Sequence, residues 1–438
     1  MPRRLDAAAP DFEARFVDLL AEKREAQADV RDAVASILAD VRARGDAALL
    51  DYTERFDRVP LTADRLRLTR DEVAAARAAC DADALAALTA AHERIAAFHR
   101  RQLPQDIDFV DEAGVRLGGR WRPVDAAGLY VPGGTAAYPS SVLMNAVPAR
   151  VAGVPRIAMV VPSPDGVLNP LVLAAADIAG VTEIYRVGGA QAVGALAYGT
   201  ATIAPVDKIV GPGNAYVAAA KRQVFGTVGI DMIAGPSEIL VVADRDANAN
   251  WVAADLLSQA EHDVSAQAIL ITDDAGFAAA VEAAVDRHLQ ALPRVEIARQ
   301  SWQDFGAVIT VGDFDLALGL IDRIAPEHLE LAGTRPRDLA DRIRNAGAIF
   351  IGDYTPEAIG DYVAGPNHVL PTGRTARFSS GLGVLDFMKR SSVIECSAAG
   401  LRAIGPLART LAIAEGLDAH ALSVAIRLSD GVSDGVGD

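Results

Sequence analysis

The sequence predicts an α/β protein with two parallel, helix-covered sheets and helical extensions at both ends. Beyond residue 128, short β-branched runs alternate with glycine turns and alanine-rich helical segments, an order of strand and helix that is typical of parallel sheets. The segments before and after that region show helical periodicity instead. We expect one sheet within residues 128–237 and another formed by the later strands together with an earlier segment.

The predicted elements follow one another in a regular order. Residues 11 to about 100 are predicted to form successive helices, as in the alanine-rich stretch DEVAAARAACDADALAALTAAHERIAAFHRR. The predicted strands are RIAMVVPS (156–163), the first residues of EIYRVGGAQAVGALAYGT (183–200) and of DKIVGPGNAYVAAAKRQVFG (207–226), EILVVAD (238–244), QAILITDD (267–274), GAVITVGD (306–313) and GAIFIGD (347–353). After about residue 380 a helical tail is predicted, because GPLARTLAIAEGLDAHALSVAIRLSD has strong helical periodicity.

The composition indicates a soluble protein with a large core. The chain has 438 residues, 51% of them apolar, and this length suggests two or three lobes. The net charge of -16 comes without a basic patch, so nucleic-acid binding is not expected and a cationic substrate suits the background better. We find no signal peptide and no apolar run of membrane-spanning length. Cys80 and Cys396 form no C-x-x-C pair, which favours a reducing compartment and so the cytoplasm.

Two glycine turns, VGGAQAVG (187–194) and VGPGNAY (210–216), follow predicted strands. Glycine lets the backbone approach a ligand closely, and the next helix N-terminus can hold a negative group. Neither turn is a G-x-G-x-x-G, and each alone is more often an ordinary strand-to-helix turn. Together with GLYVPGGTAAYPSS (128–141) they favour a nucleotide crevice, with ring surface from Tyr130 and hydrogen bonds from Gln191 and Asn214.

The segment SQAEHD (258–263) is a candidate for half of a metal site. Gln259 and His262 lie three residues apart at a predicted helix end, so their side chains point to one region. Three other histidines have carboxylates within a few residues: His328 with Glu327, His368 with Asp361, and His420 with Glu415. Zinc takes imidazole and carboxylate ligands without needing thiolate. On the residues alone, separate polar side chains at helix ends remain the more frequent alternative.

The segment APEHLEL (325–331) contains a Glu–His pair. Pro326 fits the first position of a helix, where its missing N–H would be unpaired anyway. Glu327 and His328 are therefore predicted in a first helical turn, pointing about 100° apart, and could serve two different proton transfers on one substrate. The alternative is a charged first turn exposed to solvent.

In their order along the chain, these motifs resemble those of the histidinol dehydrogenase family from about residue 120 to residue 425. The motifs that carry the resemblance are GLYVPGG, VGGAQAVGALAYGT, VGPGNAYV, AGPSE, SQAEHD, APEHLEL, GDYVAGPNHVLPT and EGLDAH. The resemblance implies oxidation of L-histidinol to L-histidine, the last step of histidine biosynthesis. It also implies two hydride transfers through a bound aldehyde with two NAD, and an intertwined homodimer with two loosely Rossmann-like domains.

The resemblance also assigns roles to residues. One zinc ion per subunit is held by Gln259, His262, Asp361 and His420, and the general bases are Glu327 and His328. Substrate contacts are Ser237, His328, His368 and Glu415 together with the metal ligands, and NAD contacts are Tyr130, Gln191 and Asn214. Because the C-terminal tail completes the partner's site, Glu415 and His420 act across the subunit interface.

Domain limits and rival functions complete these expectations. We expect an N-terminal helical extension (1–25), a discontinuous α/β domain with the metal and catalytic residues (26–127 plus 238–378), an NAD-binding α/β domain (128–237) and a C-terminal helical tail that reaches the partner subunit (379–438). The rival functions are a zinc-dependent hydrolase, a dehydrogenase of a related amino alcohol, and a metabolite-binding regulator without activity.

Overall fold

The computed structural model of the chain describes residues 1–22, 30–133, 138–233 and 235–429. Residues 134–137 of the motif GLYVPGGTAAYPSS therefore lie outside the described residues. The chain divides into two compact units. Unit 1 consists of Met1–Gln102 and Asp125–Phe387, and unit 2 of Leu103–Val124 and Met388–Asp438.

The helices and strands are numbered separately in chain order. The helices are α1 (Phe12–Ala21), α2 (Arg31–Arg44), α3 (Asp46–Asp57), α4 (Ala63–Leu66), α5 (Arg70–Ala78), α6 (Ala82–Arg100), α7 (Pro139–Ala152), α8 (Pro170–Ile178), α9 (Gly189–Tyr198), α10 (Ala215–Val224), α11 (Ala249–Ala260), α12 (Ala275–His288), α13 (Val295–Asp304), α14 (Phe314–Ile324), α15 (Glu357–Tyr362), α16 (Ala398–Ala414) and α17 (Asp418–Ser429). The strands are β1 (Arg3–Asp6), β2 (Ile107–Val110), β3 (Val115–Pro123), β4 (Ala126–Tyr130), β5 (Arg156–Val161), β6 (Glu183–Arg186), β7 (Lys208–Val210), β8 (Gly229–Ile230), β9 (Glu238–Ala243), β10 (Gln267–Thr272), β11 (Ala307–Thr310), β12 (His328–Ala332), β13 (Ala348–Ile351) and β14 (Met388–Cys396).

The larger sheet of unit 1 has six parallel strands in the order β1-β11-β10-β9-β12-β13. Helices α11, α12 and α13 contribute to the core on one face, and α1 and α14 to the core on the other. Every residue of β9 and of β12 is buried, as expected for parallel strands that helices cover on both faces. This sheet fixes the positions at which β9 and β12 begin, and those positions matter for the site.

The smaller sheet of unit 1 has five parallel strands in the order β6-β5-β4-β7-β8. It spans residues 126–230, so the predicted sheet is present but begins two residues before the expected range of 128–237. The chain builds β4, β5 and β6 towards one edge and then crosses back to add β7 and β8 on the other side of β4. The strand order therefore reverses between β4 and β7, and ligands of open α/β sheets bind at such a reversal, beyond the carboxyl ends of the strands.

Unit 2 combines an antiparallel sheet, in the order β14-β3-β2, with the helices α16 and α17. The prediction of a purely helical tail is wrong for Met388–Cys396, which forms β14 and pairs with β3 over its whole length. The helices begin only at Ala398. Local periodicity does not reveal β14, because this strand is stabilised by pairing with β3, which lies far away in the sequence.

The N-terminal region contains the successive helices that the sequence predicts, α1 to α6. It also contains an unpredicted strand, β1, which pairs in parallel with β11 at the edge of the six-stranded sheet. Only Leu5 of this strand is buried, so its four residues carry too little apolar pattern to indicate a strand. No described helix has both the length and the apolar character needed to cross a membrane.

Candidate active site

The predicted catalytic pair lies where β12 begins in the six-stranded sheet. His328 is the first residue of β12, and Glu327 directly precedes it. Both are buried, at 3% and 7% exposure, and the Glu327 carboxylate accepts a hydrogen bond from the main-chain N–H of Glu238, 2.9 Å away. Ser237 directly precedes β9, the strand beside β12. The amino-terminal ends of these two strands therefore bring three predicted site residues to one edge of the sheet.

The prediction that Pro326 begins a helix is wrong. Helix α14 ends at Ile324, and Ala325 takes the left-handed conformation that terminates helices (φ 47°). Proline after such a residue cannot continue the helix, and the chain then enters β12, which pairs with β9 and β13. A proline at this position is compatible with the start of a helix and with the end of one. Because β9 and β13 pair with the following residues on both sides, these residues form a strand.

The hydrogen bonds of His328 determine which of its ring nitrogens can act as a base. Its Nδ1 lies 3.0 Å from the carbonyl oxygen of Glu238 and 3.3 Å from Oε1 of Glu357. A carbonyl oxygen only accepts, so Nδ1 carries the hydrogen and Nε2 holds the lone pair of the neutral ring. Nε2 is buried, lies 3.6 Å from Oδ1 of Asp361, and has no hydrogen-bond partner among the described residues.

Buried carboxyl groups around His328 control its charge. Burial alone lowers the pKa of His328, but the charges of Glu357, Glu327 and Asp361 outweigh it and raise that pKa well above its ordinary value. Burial raises the pKa of Glu327 to about 8 and that of Glu357 to about 7. Burial also opposes ionisation of Asp361, yet the nearby ring of His328 and the neighbouring His368 and His262 keep its pKa lowered. The site thus contains groups that exchange protons near neutral pH.

Helices α11 and α15 bring the metal candidates of unit 1 to this edge. Gln259, in the last turn of α11, is fully buried, and neither atom of its amide has a hydrogen-bond partner among the described residues. His262 lies two residues beyond Ala260, the last residue of α11. Burial lowers the pKa of its ring, and the charge of Asp361 on α15 opposes that effect. Gln259, His262 and Asp361 therefore offer an amide oxygen, an imidazole and a carboxylate, which are ligands that zinc accepts.

Two further residues surround Asp361. His368 lies with Nδ1 3.0 Å from the carbonyl oxygen of Asp361 and Nε2 3.4 Å from the hydroxyl of Ser141. Burial lowers the pKa of His368. The sequence analysis missed Glu357, whose carboxylate lies within 4.8 Å of the nearest ligand atoms of His328 and Asp361. The spacing of Glu357 and Asp361 was the available signal, because residues four apart share one helix face.

The other two predicted site residues belong to unit 2. Glu415 caps the C-terminal end of α16, and His420 lies in the first turn of α17. Both are exposed. The remaining predicted metal, catalytic and substrate-binding residues all belong to unit 1: Ser237, Gln259, His262, Glu327, His328, Asp361 and His368.

The three predicted NAD contacts lie at the carboxyl ends of β4, β6 and β7. Tyr130 ends β4, is only 4% exposed, and its hydroxyl accepts a hydrogen bond from the N–H of Gly189 (3.0 Å). Burial raises the pKa of the Tyr130 phenol to about 12. A side chain on Gly211 (φ 111°) would come within 2.1 Å of the carbonyl oxygen of Tyr130. Tyr130 therefore contacts both glycine turns.

Gln191 and Asn214 belong to the helices that follow those turns. Gln191, in α9, is 2% exposed. Asn214 is the exposed N-cap of α10, and its amide oxygen accepts hydrogen bonds from the N–H groups of Tyr216 and Val217. The exposed N-terminus of α10 lies next to the strand reversal at β4 and β7, where a negatively charged ligand is favoured.

Comparison with known proteins identifies the family. Its sequence profile, described as histidinol dehydrogenase, matches residues 20–428. The histidinol dehydrogenase of Rhodospirillum rubrum is 67% identical over 432 residues, with 98% of this chain and 100% of the relative covered. That of Rhodopseudomonas palustris is 65% identical over 429 residues, with 98% and 100% covered. The chain belongs to the histidinol dehydrogenase family.

A solved histidinol dehydrogenase, from Elizabethkingia anophelis, has the same fold. It is 36% identical, the TM-score is 0.94, and 99% of each chain is covered. The resemblance inferred from the motifs is thus confirmed, and so is the mixed α/β fold with parallel sheets. As a histidinol dehydrogenase family member, the chain is an oxidoreductase of histidine biosynthesis.

Proposed function

We propose that this chain is a zinc-dependent L-histidinol dehydrogenase that forms L-histidine through bound L-histidinal and uses two NAD. One observation carries the proposal. Four buried side-chain atoms of the candidate site residues have no hydrogen-bond partner among the described residues: Nε2 of His328, Oδ1 of Asp361 and both amide atoms of Gln259. Each such atom costs about 1–3 kcal/mol when it stays unsatisfied. A bound cation and a polar substrate would satisfy them.

The donor set fits zinc. Gln259, His262 and Asp361 would hold the ion from unit 1, and His420 is the proposed fourth ligand. A set of amide, carboxylate and imidazole groups without thiolates is typical of sites that also accept substrate atoms, in contrast to closed structural sites rich in cysteine. Zinc, when bound, would hold the imidazole and amine of histidinol and orient its alcohol carbon as a template.

His328 is the proposed base of the first oxidation. Its Nε2 is the nitrogen with the free lone pair and would take the proton of the substrate hydroxyl; NAD, when bound, would be the hydride acceptor. The charges that raise the pKa of His328 include that of Asp361. A cation held by Asp361 would offset this charge, which lowers the pKa of His328 and favours the neutral ring that a base requires.

Glu327 is the proposed base of the hydration step. The aldehyde must gain water before a second hydride can leave, and Glu327 is a second buried acid–base group at this edge, directly beside His328 in the chain. Because burial raises its pKa to about 8, it takes a proton from water more readily than an ordinary carboxylate does. Once Nε2 of His328 has released its first proton to solvent, it can take the hydrate proton in the second oxidation. Ser237, His368 and Glu415 are the proposed further contacts of the substrate.

The five-stranded sheet is the proposed NAD site. The strand reversal at β4 and β7, the glycine turns, and the N-termini of α9 and α10 support a crevice for the pyrophosphate. Gln191 and Asn214 are the proposed hydrogen-bonding residues. Since Tyr130 is almost fully buried, we propose that it supports the two turns in addition to any contact with the cofactor.

We propose that the chain forms a homodimer whose interface includes the surface of unit 2. Eight of its large apolar side chains expose between 49% and 70% of their surface: Ile107, Phe109, Val110, Ile394, Leu407, Leu411, Ile413 and Leu422. Exposed apolar surface on this scale indicates a protein interface. In the proposed dimer, Glu415 and His420 complete the site of the partner subunit. The domain limits given above, with β14 now included in the C-terminal segment 379–438, and a cytoplasmic location remain part of this proposal.

The proposal is tested by absorbance of reduced nicotinamide. Purified protein is mixed with L-histidinol and NAD, with and without a zinc chelator, and we expect reduced NAD and L-histidine only when the chelator is absent. Turnover without NAD would favour the hydrolase. Binding of zinc and NAD without turnover of any amino alcohol would favour the regulator, and preference for another amino alcohol would change the substrate.

The role of His328 is tested separately. In His328→Ala, we expect alcohol oxidation to slow by about a hundred- to ten-thousand-fold, because one positioned base is lost. Zinc content should stay at the level of the unaltered protein, since His328 is not a proposed ligand. Equal rates in both proteins contradict the assignment of the base.

A further inference from the structure

One carboxyl group behind the candidate site connects three structural elements. Glu330, in β12, is 3% exposed and accepts a hydrogen bond from the main-chain N–H of Glu357 at 2.7 Å. Asp255, in α11, lines the same small cavity as Glu330, and burial together with the charge of Asp255 raises the pKa of Glu330. When one of two such neighbouring carboxyl groups holds a proton, it can donate that proton to the other in a hydrogen bond. Glu330 thus links β12 with α11 and with the first residue of α15.

The linked residues stand in register with the site residues. Glu330 lies two residues after His328, so both side chains leave β12 on one face. Asp255 lies four residues before Gln259, and Glu357 four residues before Asp361, which in each case is one helical turn. A second hydrogen bond, from the Ser258 hydroxyl to the Glu357 carboxylate (3.2 Å), joins the two helices directly.

We propose that the Glu330–Asp255 pair is a positioning device that fixes Gln259 and Asp361 relative to His328. The proposal rests on the proposed function, because Gln259 and Asp361 matter together only if they bind one ion. Glu330 touches neither substrate nor metal; it acts through the two helices. Removing its hydrogen bonds frees α15, a helix of only six residues, from one of its attachments to the sheet. The two ligands then lose their fixed separation.

The affinity for Zn²⁺ measures this separation without requiring catalysis. Full-length protein is stripped of metal, and Zn²⁺ is titrated in competition with a chromophoric chelator. In Glu330→Leu and in Asp255→Ala we expect the affinity to fall about ten- to a hundred-fold, the usual effect of losing a residue that orients metal ligands. Glu330→Gln and Asp255→Asn keep an acceptor or donor at each bond, so both should bind Zn²⁺ nearly as the unaltered protein does.

Asp244 provides the matched control. It is fully buried and accepts hydrogen bonds from the N–H groups of Thr334 and Arg335 beyond the carboxyl ends of the same two strands. Asp244→Leu should therefore lower the thermal unfolding midpoint and leave the Zn²⁺ affinity unchanged. If Glu330→Leu does not fold, the Zn²⁺ affinity of Asp255→Ala tests the proposal instead, because Asp255 is less buried than Glu330.

The outcomes separate the two proposals. Failure of the unaltered protein to bind Zn²⁺ overturns the proposed metal site and, with it, this inference. Binding that is equally tight in the unaltered protein, Glu330→Leu and Asp255→Ala overturns this inference alone. The same holds if Glu330→Gln loses as much affinity as Glu330→Leu, or if Asp244→Leu loses affinity too.

Discussion

At the scale of single residues, the surroundings of each group decide its role at the site. Glu327 and His328 are neighbours in the chain, yet their pKa values have different main determinants. Burial dominates for Glu327, whereas the surrounding carboxylates outweigh burial for His328. The hydrogen bond from Nδ1 to Glu238 then directs the lone pair of the His328 ring to the other nitrogen. Two adjacent residues can thus serve different proton transfers, although they do not lie on a helix.

Glu327 should give acid formation a distinctive pH dependence. Its pKa of about 8 means that the carboxyl is mostly protonated below that pH and cannot accept a proton from water. We expect acid formation from supplied L-histidinal to rise as the pH increases through about 8. In Glu327→Gln this rise should disappear and the rate should fall by about a hundred-fold or more. Reduction of the aldehyde to the alcohol, measured as the control, should change less; equal losses in both directions contradict the role.

Sequence and family resemblance predicted most of the candidate site residues but not the residues that support them. Two pairs of residues are conspicuous in the sequence, because each pair lies within one short segment. They are Gln259 with His262, and Glu327 with His328. Their convergence depends on where β9 and β12 begin, and sequence patterns do not reveal that edge. Glu330 alternates with leucines in HLELA and reads as an ordinary polar residue of an amphipathic segment. Its burial results from contacts with α11 and α15, which no local pattern encodes.

At the scale of elements, a buried ion pair supports the glycine turn after β7. The side chains of Lys221 and Asp231 are 4% and 1% exposed and pair with each other. Lys221 also donates to the carbonyl oxygen of Gly211 (2.9 Å), and Asp231 accepts from its N–H (2.8 Å). Both main-chain groups of one glycine are thereby held, which keeps the turn in the conformation that lets it pass close to Tyr130.

Breaking this pair should destabilise the protein strongly. In Lys221→Met, Asp231 stays buried without its cation, and we expect the free energy of unfolding in urea to fall by about 3–5 kcal/mol. Adding Asp231→Asn removes the unpaired charge and retains an oxygen for Gly211, so the double variant should recover part of the loss. NAD affinity should weaken in the single variant. A loss below about 1 kcal/mol would mean that the ion pair is not an important support.

The elements that could be predicted are those whose own residues show an apolar run or a helical periodicity. The strands β5, β6, β7, β9, β10, β11 and β13 were recognised, since covered parallel strands are apolar on both faces. The strands β1, β2, β3, β4, β8, β12 and β14 were not. Most of them are short or contain polar residues, and their positions depend on partners that the local sequence does not specify. For the same reason APEHLEL was predicted as a helix start, although β9 and β13 bind it as a strand.

At the scale of the whole molecule, the proposed dimer makes a prediction about mixed subunits. His328→Ala and His420→Ala should each be nearly inactive alone. After dissociation and reassociation of a mixture, a heterodimer contains one site with both native histidines, so roughly a quarter of the normal activity should return. Subunit exchange is verified with tagged chains. No return of activity after proven exchange would mean that each site is formed by one chain.

Stability should fall in acid, partly because of one buried histidine. His99 is fully buried, its Nδ1 donates to the carbonyl oxygen of Ile95, and burial lowers its pKa below the ordinary value of 6.5. The unfolded chain therefore binds this proton more readily, so the stabilisation is present above pH 6.5 and is lost as the pH falls. We expect the unfolding free energy of His99→Gln to depend less on pH, by up to about 1.4 kcal/mol per pH unit between about pH 6.5 and 5. Parallel curves for both proteins would contradict this.

The pairing of β3 with β14 has a consequence for protein synthesis. Pro123 pairs with Met388, so more than half of the chain is translated between the two strands. At a translation rate of about 5–20 residues per second, β3 remains without its partner strand β14 for on the order of 10 to 50 s. During that interval one side of the β2–β3 hairpin offers open N–H and C=O groups to any other nascent chain. Slowed translation after β3 should therefore favour aggregation, and chaperones that shield strand edges should raise the yield of soluble enzyme.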